Sequence, residues 1–509
     1  MAQDKDGAAS TRAGRDSLKL VSTQTIIAVF GIFYFALVTR VFSKVDISVL
    51  AIVTLFNSIG GSIAGLGLTT LAIQRVPSLM AAGRHTEAAR MLATSIAWSV
   101  AGAIAMAGGI ALASRPLSGI FFKTTDASGL IIASGLLLVT YKAFESVNVS
   151  MLALDDFRSI SLMRLLNDIA LRAIAFPAYL FGGIFAYMIT MAIGQVLISA
   201  IMLCLKRKQI IIAGFSNLKQ TLALIRESLP FYGYSFFRSA TAQADSLLIG
   251  ILLQPEGLAT YYVIRRFFDY IIIFYDAMLT PLLPKVAAKR GASGSEVLTA
   301  FRQSSRYALP ICIILPILLL PLSKQILFVY GGTKFISGLP GLILLFAAAA
   351  LYGVFGLHSS FILATLRPVD ALANDLIIGS VNSGLSFFLA ATYGVTGGAG
   401  AKAIAMAIAS ISSFQILKKQ IPIGLHHDWG VFKHFFPVFV AGSLAVIFAQ
   451  LWTHRFPGVC LVWTGILMIT CTWVVRVSNS NDLNFLLSSL HLDRCTLVRR
   501  VVKFIRPAA

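Results

Sequence analysis

Apolar runs of about 20 residues, each long enough to cross a bilayer as a helix, recur between positions 20 and 477. Short polar turns separate them, many holding Gly or Pro. Fourteen spans are expected, near 20–38, 47–71, 91–113, 129–153, 162–181, 185–205, 229–253, 258–283, 303–322, 339–365, 372–393, 398–417, 435–452 and 459–477. A polar stretch at 1–19 precedes them. The first apolar run is too long for a signal-peptide core and lacks a small-residue cleavage site, so it is read as an uncleaved span. Pro177 in the fifth span, and Pro310, Pro316 and Pro321 in the ninth, are expected to kink their helices, because each removes a backbone donor.

Two helical hairpins carry a repeat. The stretch 229–284 reads as two spans joined by Gln254-Pro255-Glu256-Gly257, and the chain begins with a similar pair joined by Ser43-Lys44-Val45-Asp46. Each ends near a proline, Pro77 and Pro284. A basic loop with a later acid follows each, Arg84 to Glu87 and Lys289-Arg290 to Glu296. The offset is 205 to 211 residues throughout. The repeat predicts an all-α integral membrane protein of two six-helix lobes related by pseudo-two-fold symmetry, with two added C-terminal helices. The N-lobe is expected at 20–205, a linker at 206–228, the C-lobe at 229–417 and the two added spans within 435–477.

Composition agrees with a membrane protein. Of the 509 residues 57% are hydrophobic and only 12% charged, about half the charged share of a soluble domain. The net charge of +21 would suggest nucleic acid in a soluble protein. Here the bases sit in short loops on alternate sides of the spans, and 29 of the 42 Lys and Arg lie on the side of the N-terminus against eight on the other. That is the positive-inside pattern, which places both termini in the cytoplasm and calls for no nucleic acid. The tail at 478–509 spaces Leu483, Leu486, Leu487, Leu490, Val498, Val501, Val502 and Ile505 against Arg494, Arg499, Arg500, Lys503 and Arg506. It reads as an amphipathic helix lying on the acidic inner leaflet. The five cysteines have neither CxxC nor metal-ligand spacing, so no disulfide and no metal site is expected.

Charges inside the spans are the candidate chemistry. An ionised side chain near the bilayer centre costs roughly 3 kcal/mol or more, so it must meet water or a partner. Lys142 and Glu145, Asp168 and Arg172, and Arg265 and Asp269 have spacings at which each pair can meet on one helix face. Self-pairing that eases insertion is one reading of them; a ligand site is the other. Arg238 and Asp245 share a face but stand about 10 Å apart along the helix, so Arg238 needs another partner. Polar stripes run along Ser161, Arg164, Asp168, Arg172 and Tyr179; Tyr234, Arg238, Thr241 and Asp245; and Tyr262, Arg265, Asp269 and Asp276. They suggest a wet cleft between two bundles. The candidate cavity residues are Arg238, Arg172, Arg265, Lys142, Asp245 and Asp269. Guanidinium groups there suit phosphate, diphosphate or carboxylate. His358, alone in the tenth span, reads as a packed or hydrogen-bonded histidine.

The glycine-rich run from Gly394 to Lys402 fails as a phosphate loop, because Lys does not follow Gly and no Ser or Thr follows Lys. It is read as a turn into the twelfth span. There is no HExxH, no GxSxG and no ATP-binding module, so neither catalysis nor a cofactor is expected. The longest loops are too short to fold alone.

The run Asp245-Ser-Leu-Leu-Ile-Gly250, then Leu252-Leu253-Gln254-Pro255-Glu256-Gly257-Leu258-Ala259-Thr260-Tyr261, resembles the multidrug/oligosaccharidyl-lipid/polysaccharide exporter (MOP) superfamily. Within it the chain is most similar to the polysaccharide transporter branch of Wzx-type flippases. The first copy, Val41-Phe42-Ser43-Lys44-Val45-Asp46-Ile47-Ser48-Val49-Leu50, lacks the proline and tyrosine. The resemblance implies a flippase of the bacterial cytoplasmic membrane. It would turn a polyprenyl-diphosphate-linked oligosaccharide from the inner to the outer leaflet by alternating access, in contact with membrane lipids and with a polysaccharide polymerase and chain-length proteins as partners. Three rivals stay open. A cation-coupled multidrug exporter should show acids without bases, whereas bases face the acids in these spans. A lipid II flippase would be expected to carry arginines inside the first two spans. A membrane glycan polymerase or ligase would need a long outer loop.

Overall fold

The computed structural model describes residues 26–210, 214–279, 319–365 and 368–419, with isolated positions at 23–24 and between 298 and 316. The expected thirteenth and fourteenth spans, the N-terminal stretch and the basic tail lie outside the described residues, as does most of the ninth span. The described residues are helical or in turns, and the chain forms two compact units, Met1–Tyr262 and Val263–Ala509.

In the first unit, α1 (Ile26–Val41) leads through a tight turn into α2 (Lys44–Gly65). Ser43 caps α2: its hydroxyl accepts from the Asp46 amide at 3.1 Å, and the Asp46 carboxylate accepts from the Ser43 amide at 3.3 Å. α2 widens into a π turn at Phe56–Gly60 and stops at Gly65. After a break at Leu66 and Gly67, α3 runs over Leu68–Ala81. α4 (His85–Leu112), a short α5 (Ser114–Phe122) and α6 (Ser128–Ala153) follow. α7 (Phe157–Leu205) holds the expected fifth and sixth spans in one run, widened by a π turn at Leu166–Leu171 and broken at Gly182 and Gly183. α8 covers Leu218–Leu252. The last eleven residues of the expected 206–228 linker are thus already helix, and the helix begins before the apolar run it carries. α9 spans Pro255–Leu279, with Pro255 at its first turn. The second helices of the two hairpins start at Lys44 and Pro255, which agrees with the spacing of the repeat.

The loops sort into two ends. At one end Lys206 pairs with Asp156 at 2.5 Å, and the Ser216 amide donates to the Thr94 hydroxyl at 2.9 Å. At the other, the Tyr179 hydroxyl donates to Asp46 at 2.8 Å and the Lys123 ammonium donates to the Ile251 carbonyl at 2.5 Å. These are the sets that alternating spans would place on opposite sides of a membrane. Between them lies a methionine-rich core, including Leu71, Val76, Met91, Leu92, Phe144, Met151, Met163 and Met202. Its helices gain by close packing, since lipid tails would solvate the same side chains equally well. Small residues let the backbones meet: a methyl group on Gly102 of α4 would stand 2.5 Å from the Ala64 carbonyl oxygen of α2.

The boundary between the units at Tyr262 falls beyond the expected linker, because α8 packs on α2 and α3. The Ser62 hydroxyl donates to the Ser239 hydroxyl at 2.6 Å, Ser228 donates to the Leu66 carbonyl at 2.7 Å, and the Thr54 and Tyr262 hydroxyls meet at 3.2 Å.

In the second unit, α10 (Ser323–Gly331) and α11 (Leu339–Thr365) precede α12 (Pro368–Lys418). The last is two spans in one run, broken at Gly394. α11 packs along α12, and the Ser410 hydroxyl reaches the Leu351 carbonyl at 3.0 Å. Six described helices are long and apolar enough to cross a membrane. α8 and α9 fall outside that set because they carry several charges, which is why they matter below.

Candidate functional site

The first unit gathers ionisable groups from two helices around Tyr141. On α6, Lys142 is buried and its ammonium donates to Glu145 at 2.8 Å. On α7, the Arg172 guanidinium donates to Asp168 at 2.9 Å. Tyr141 lies within electrostatic reach of Glu145, Asp168, Arg164 and Arg172 together. The spacing rule paired the charges correctly along each helix, and the fold then brings the two pairs side by side. With Arg164, the result is three bases against two acids. Glu145, Asp168 and Arg172 keep 40%, 21% and 30% of their side-chain surface open, so the cluster is reachable from one side while Lys142, at 4%, closes its floor.

A π turn at Leu166–Leu171 lies in the middle of the stripe on the fifth span. A wide turn inserts about one residue and rotates all that follows. Asp168 and Arg172 stay paired across it, and Tyr179, two helical turns beyond Arg172, hydrogen-bonds Asp46 at the far turn. The turn also strands a buried polar atom: Asn167 donates to Asp168 at 3.1 Å while its own carbonyl oxygen has no partner. Asn57, in the other π turn, likewise has an unsatisfied buried oxygen. Unpaired buried oxygens of this kind are places for water or a ligand hydroxyl.

Arg238 and Asp245 share α8 but not an environment. Arg238 is exposed. Asp245 is fully buried, accepting from the Tyr261 hydroxyl at 2.7 Å and from the Ser246 amide at 2.9 Å. Asp245 therefore clamps the turn of the second hairpin rather than lining an open surface.

The second unit carries its own ionic group. Arg265 and Asp269 approach to 3.7 Å, with Arg265 nearly buried and Asp269 about one-third open. Lys402 lies 5.8 Å from the centre of the Phe268 ring, on the same part of α9, and is itself buried. A lysine over a ring face is held by the ring quadrupole. Sequence reasoning placed Lys402 in a turn; the break comes eight residues earlier, at Gly394, so Lys402 stands inside the helix. His358 is packed, as expected. Its ring stacks on Phe301 at 5.8 Å, and its Nδ1 meets the Ser413 hydroxyl at 3.4 Å.

No known family model matches the chain, and no curated protein matches it. Solved structures do. The lipid II flippase MurJ in an inward closed conformation matches with a TM-score of 0.70 at 14% identity, over 90% of this chain and 98% of that one. An inward-facing multidrug resistance MATE family transporter of the MOP superfamily matches with a TM-score of 0.66 at 15% identity, over 80% of this chain and 98% of that one. A MOP superfamily transporter from Pyrococcus furiosus with a binding pocket of reverse polarity matches at 0.55 and 17% identity, over 81% of this chain and 95% of that one. These neighbours are flippases and transporters. This chain has the fold of the MOP-superfamily transporters.

Proposed function

We propose that the protein is a flippase that moves a lipid-diphosphate-linked oligosaccharide from the inner to the outer leaflet of the bacterial cytoplasmic membrane by alternating access. The observation that carries the reading is that Arg164 and Arg172 meet Glu145 and Asp168 around Tyr141, with Lys142 paired to Glu145 beside them, within a fold whose neighbours include a lipid flippase. Two guanidinium groups and an ammonium against two carboxylates leave a base in excess where a lipid headgroup would pass. Guanidinium forks bind diphosphate oxygens in pairs. The acids prevent the grip from becoming permanent, because Glu145 and Asp168 compete for the same donors. A cation exporter would call for the opposite balance.

In this reading Arg172 and Lys142 meet the diphosphate, and Arg238, Arg265 and Asp269 are further residues for the cargo. Asp245 acts through Tyr261 by holding the second hairpin. Lys402 joins Arg265 as a further base. Both termini lie in the cytoplasm, and a polymerase and chain-length proteins take up the product outside.

A second reading, a lipid II flippase, is favoured by coverage: MurJ matches over 90% of this chain and the MATE transporter over 80%. Both readings share the cargo chemistry of a polyprenyl diphosphate bearing sugars. Complementation separates them. Rescue of a strain lacking its oligosaccharide flippase supports the first, and rescue of a strain lacking MurJ alone supports the second. Rescue of neither, with drug export restored in an exporter-deficient strain, overturns both.

A further inference from the structure

The break between α2 and α3 meets the start of α8 in an unusual way. Helical bonding ends at Gly65, and both Leu66 (φ 46°) and Gly67 (φ 70°) are left-handed. The Leu66 carbonyl, freed by that break, accepts from the Ser228 hydroxyl at 2.7 Å. The backbone of α8 then sits in the notch itself: a methyl group on Gly67 would stand 2.5 Å from the Tyr232 amide nitrogen and 2.6 Å from the Ser228 carbonyl oxygen. Two turns further along α3, Arg75 forms an ion pair with Glu227. All of this lies toward the end of the unit that holds Arg84 and Lys206.

We propose that this break is a hinge and that its contacts with positions 227–232 of α8 form a reversible latch closing that end of the protein. The proposal rests on the transport reading, since a closed end must open for a cargo to enter. Three features make a latch rather than a fixed joint. The ion pair is open to solvent, with 44% and 48% of its side-chain surfaces exposed, so water replaces it at little cost. The hydroxyl bond is single and neutral. Two consecutive left-handed residues interrupt the helical ladder, so α3 can swing without breaking regular backbone bonds.

The hinge also touches the candidate site. The Lys142 ammonium lies 3.0 Å from where a side chain on Gly65 would begin. An anion that draws Lys142 toward itself would withdraw it from the last turn of α2, where helix carbonyls favour a cation. Cargo binding and latch release are thereby connected through one side chain.

The test places spin labels at Ala82 and Leu222 in a chain whose five native cysteines are replaced. The reconstituted protein should show two distances, the shorter matching this structure. Glu227→Arg should enlarge the longer population severalfold, and adding Arg75→Glu should reverse the shift. Ser228→Ala, a milder change, should move the distribution the same way. A single distance, or a distribution unmoved by Glu227→Arg and Ser228→Ala, overturns the latch. In a parallel arm, a disulfide between Arg75→Cys and Glu227→Cys should stop translocation of a lipid-linked oligosaccharide until reductant is added. Undiminished translocation by the crosslinked protein also overturns the latch. Absence of translocation before crosslinking counts against the transport reading alone, because the distances judge the latch without it.

Discussion

Lys142 joins a structural role to the proposed functional one. Its ammonium is almost fully buried, neutralised by Glu145 on one side and set against the end of α2 on the other. Replacing it with Met should leave Glu145 unpaired and weaken translocation at least tenfold, read as initial rate in proteoliposomes, whereas Arg should retain part of the rate. Arg172→Gln should act similarly, with Arg172→Lys intermediate, since a lysine cannot fork across two oxygens. Tyr261 is different. Its hydroxyl satisfies the buried Asp245 carboxylate, so Tyr261→Phe should cost about 1–3 kcal/mol, measured by thermal unfolding in detergent.

Asp156 supplies a pH dependence outside the membrane. Burial pushes its carboxyl up, but hydrogen bonds from Lys206 and Ser159 outweigh that and hold it below the usual carboxylate range. A lowered folded-state value stabilises the fold above the unfolded value of about 3.9, and the gain is lost as pH falls through the folded one. Asp156→Asn should therefore lower stability by no more than about 1 kcal/mol at pH 7, the pair being partly solvated, and the difference should shrink as pH falls below the usual carboxylate range. At this scale, the ion pairs could be read from the chain. Lys142, Glu145, Asp168 and Arg172 announce themselves as charges in apolar runs at helix-pair spacing. Tyr141 does not, because an aromatic residue in an apolar run looks like core until its neighbours are known. Lys402 was hidden by the glycines before it.

At the scale of elements, breaks and wide turns carry the information that a uniform 3.6-residue period leaves out. The turn beginning at Ser43 and the one before Pro255 were legible from capping and proline chemistry. The π turns at Phe56–Gly60 and Leu166–Leu171 were not, since no local residue pattern marks them; packing imposes them. The break at Gly67 was not read either, although Gly65 and Gly67 flank it; the backbone of α8 packs against it. It yields a sharp prediction. Gly67→Ala should destabilise the protein by about 2 kcal/mol or more, as it adds both a left-handed strain and a backbone overlap. Gly83→Ala, also left-handed (φ 74°) but with nothing within 4 Å, should cost only the strain, about 1 kcal/mol. Unfolding curves of the two variants side by side check the difference.

At the scale of the whole molecule, the apolar runs announced a helical membrane protein, and the solved structures it matches share that architecture. The cargo depends on a few charged side chains, and the fold does not fix it. The central claim is that a base-rich path through this fold carries a lipid diphosphate bearing sugars. The most direct measurement reconstitutes the protein in liposomes holding a fluorescent polyprenyl-diphosphate oligosaccharide and follows its appearance on the opposite leaflet with a membrane-impermeant quencher or glycosidase. The account predicts protein-dependent translocation that Arg172→Gln cuts at least tenfold, while a cationic dye is not moved. Transport of the dye with no movement of the lipid, or lipid movement indifferent to Arg172, would contradict it.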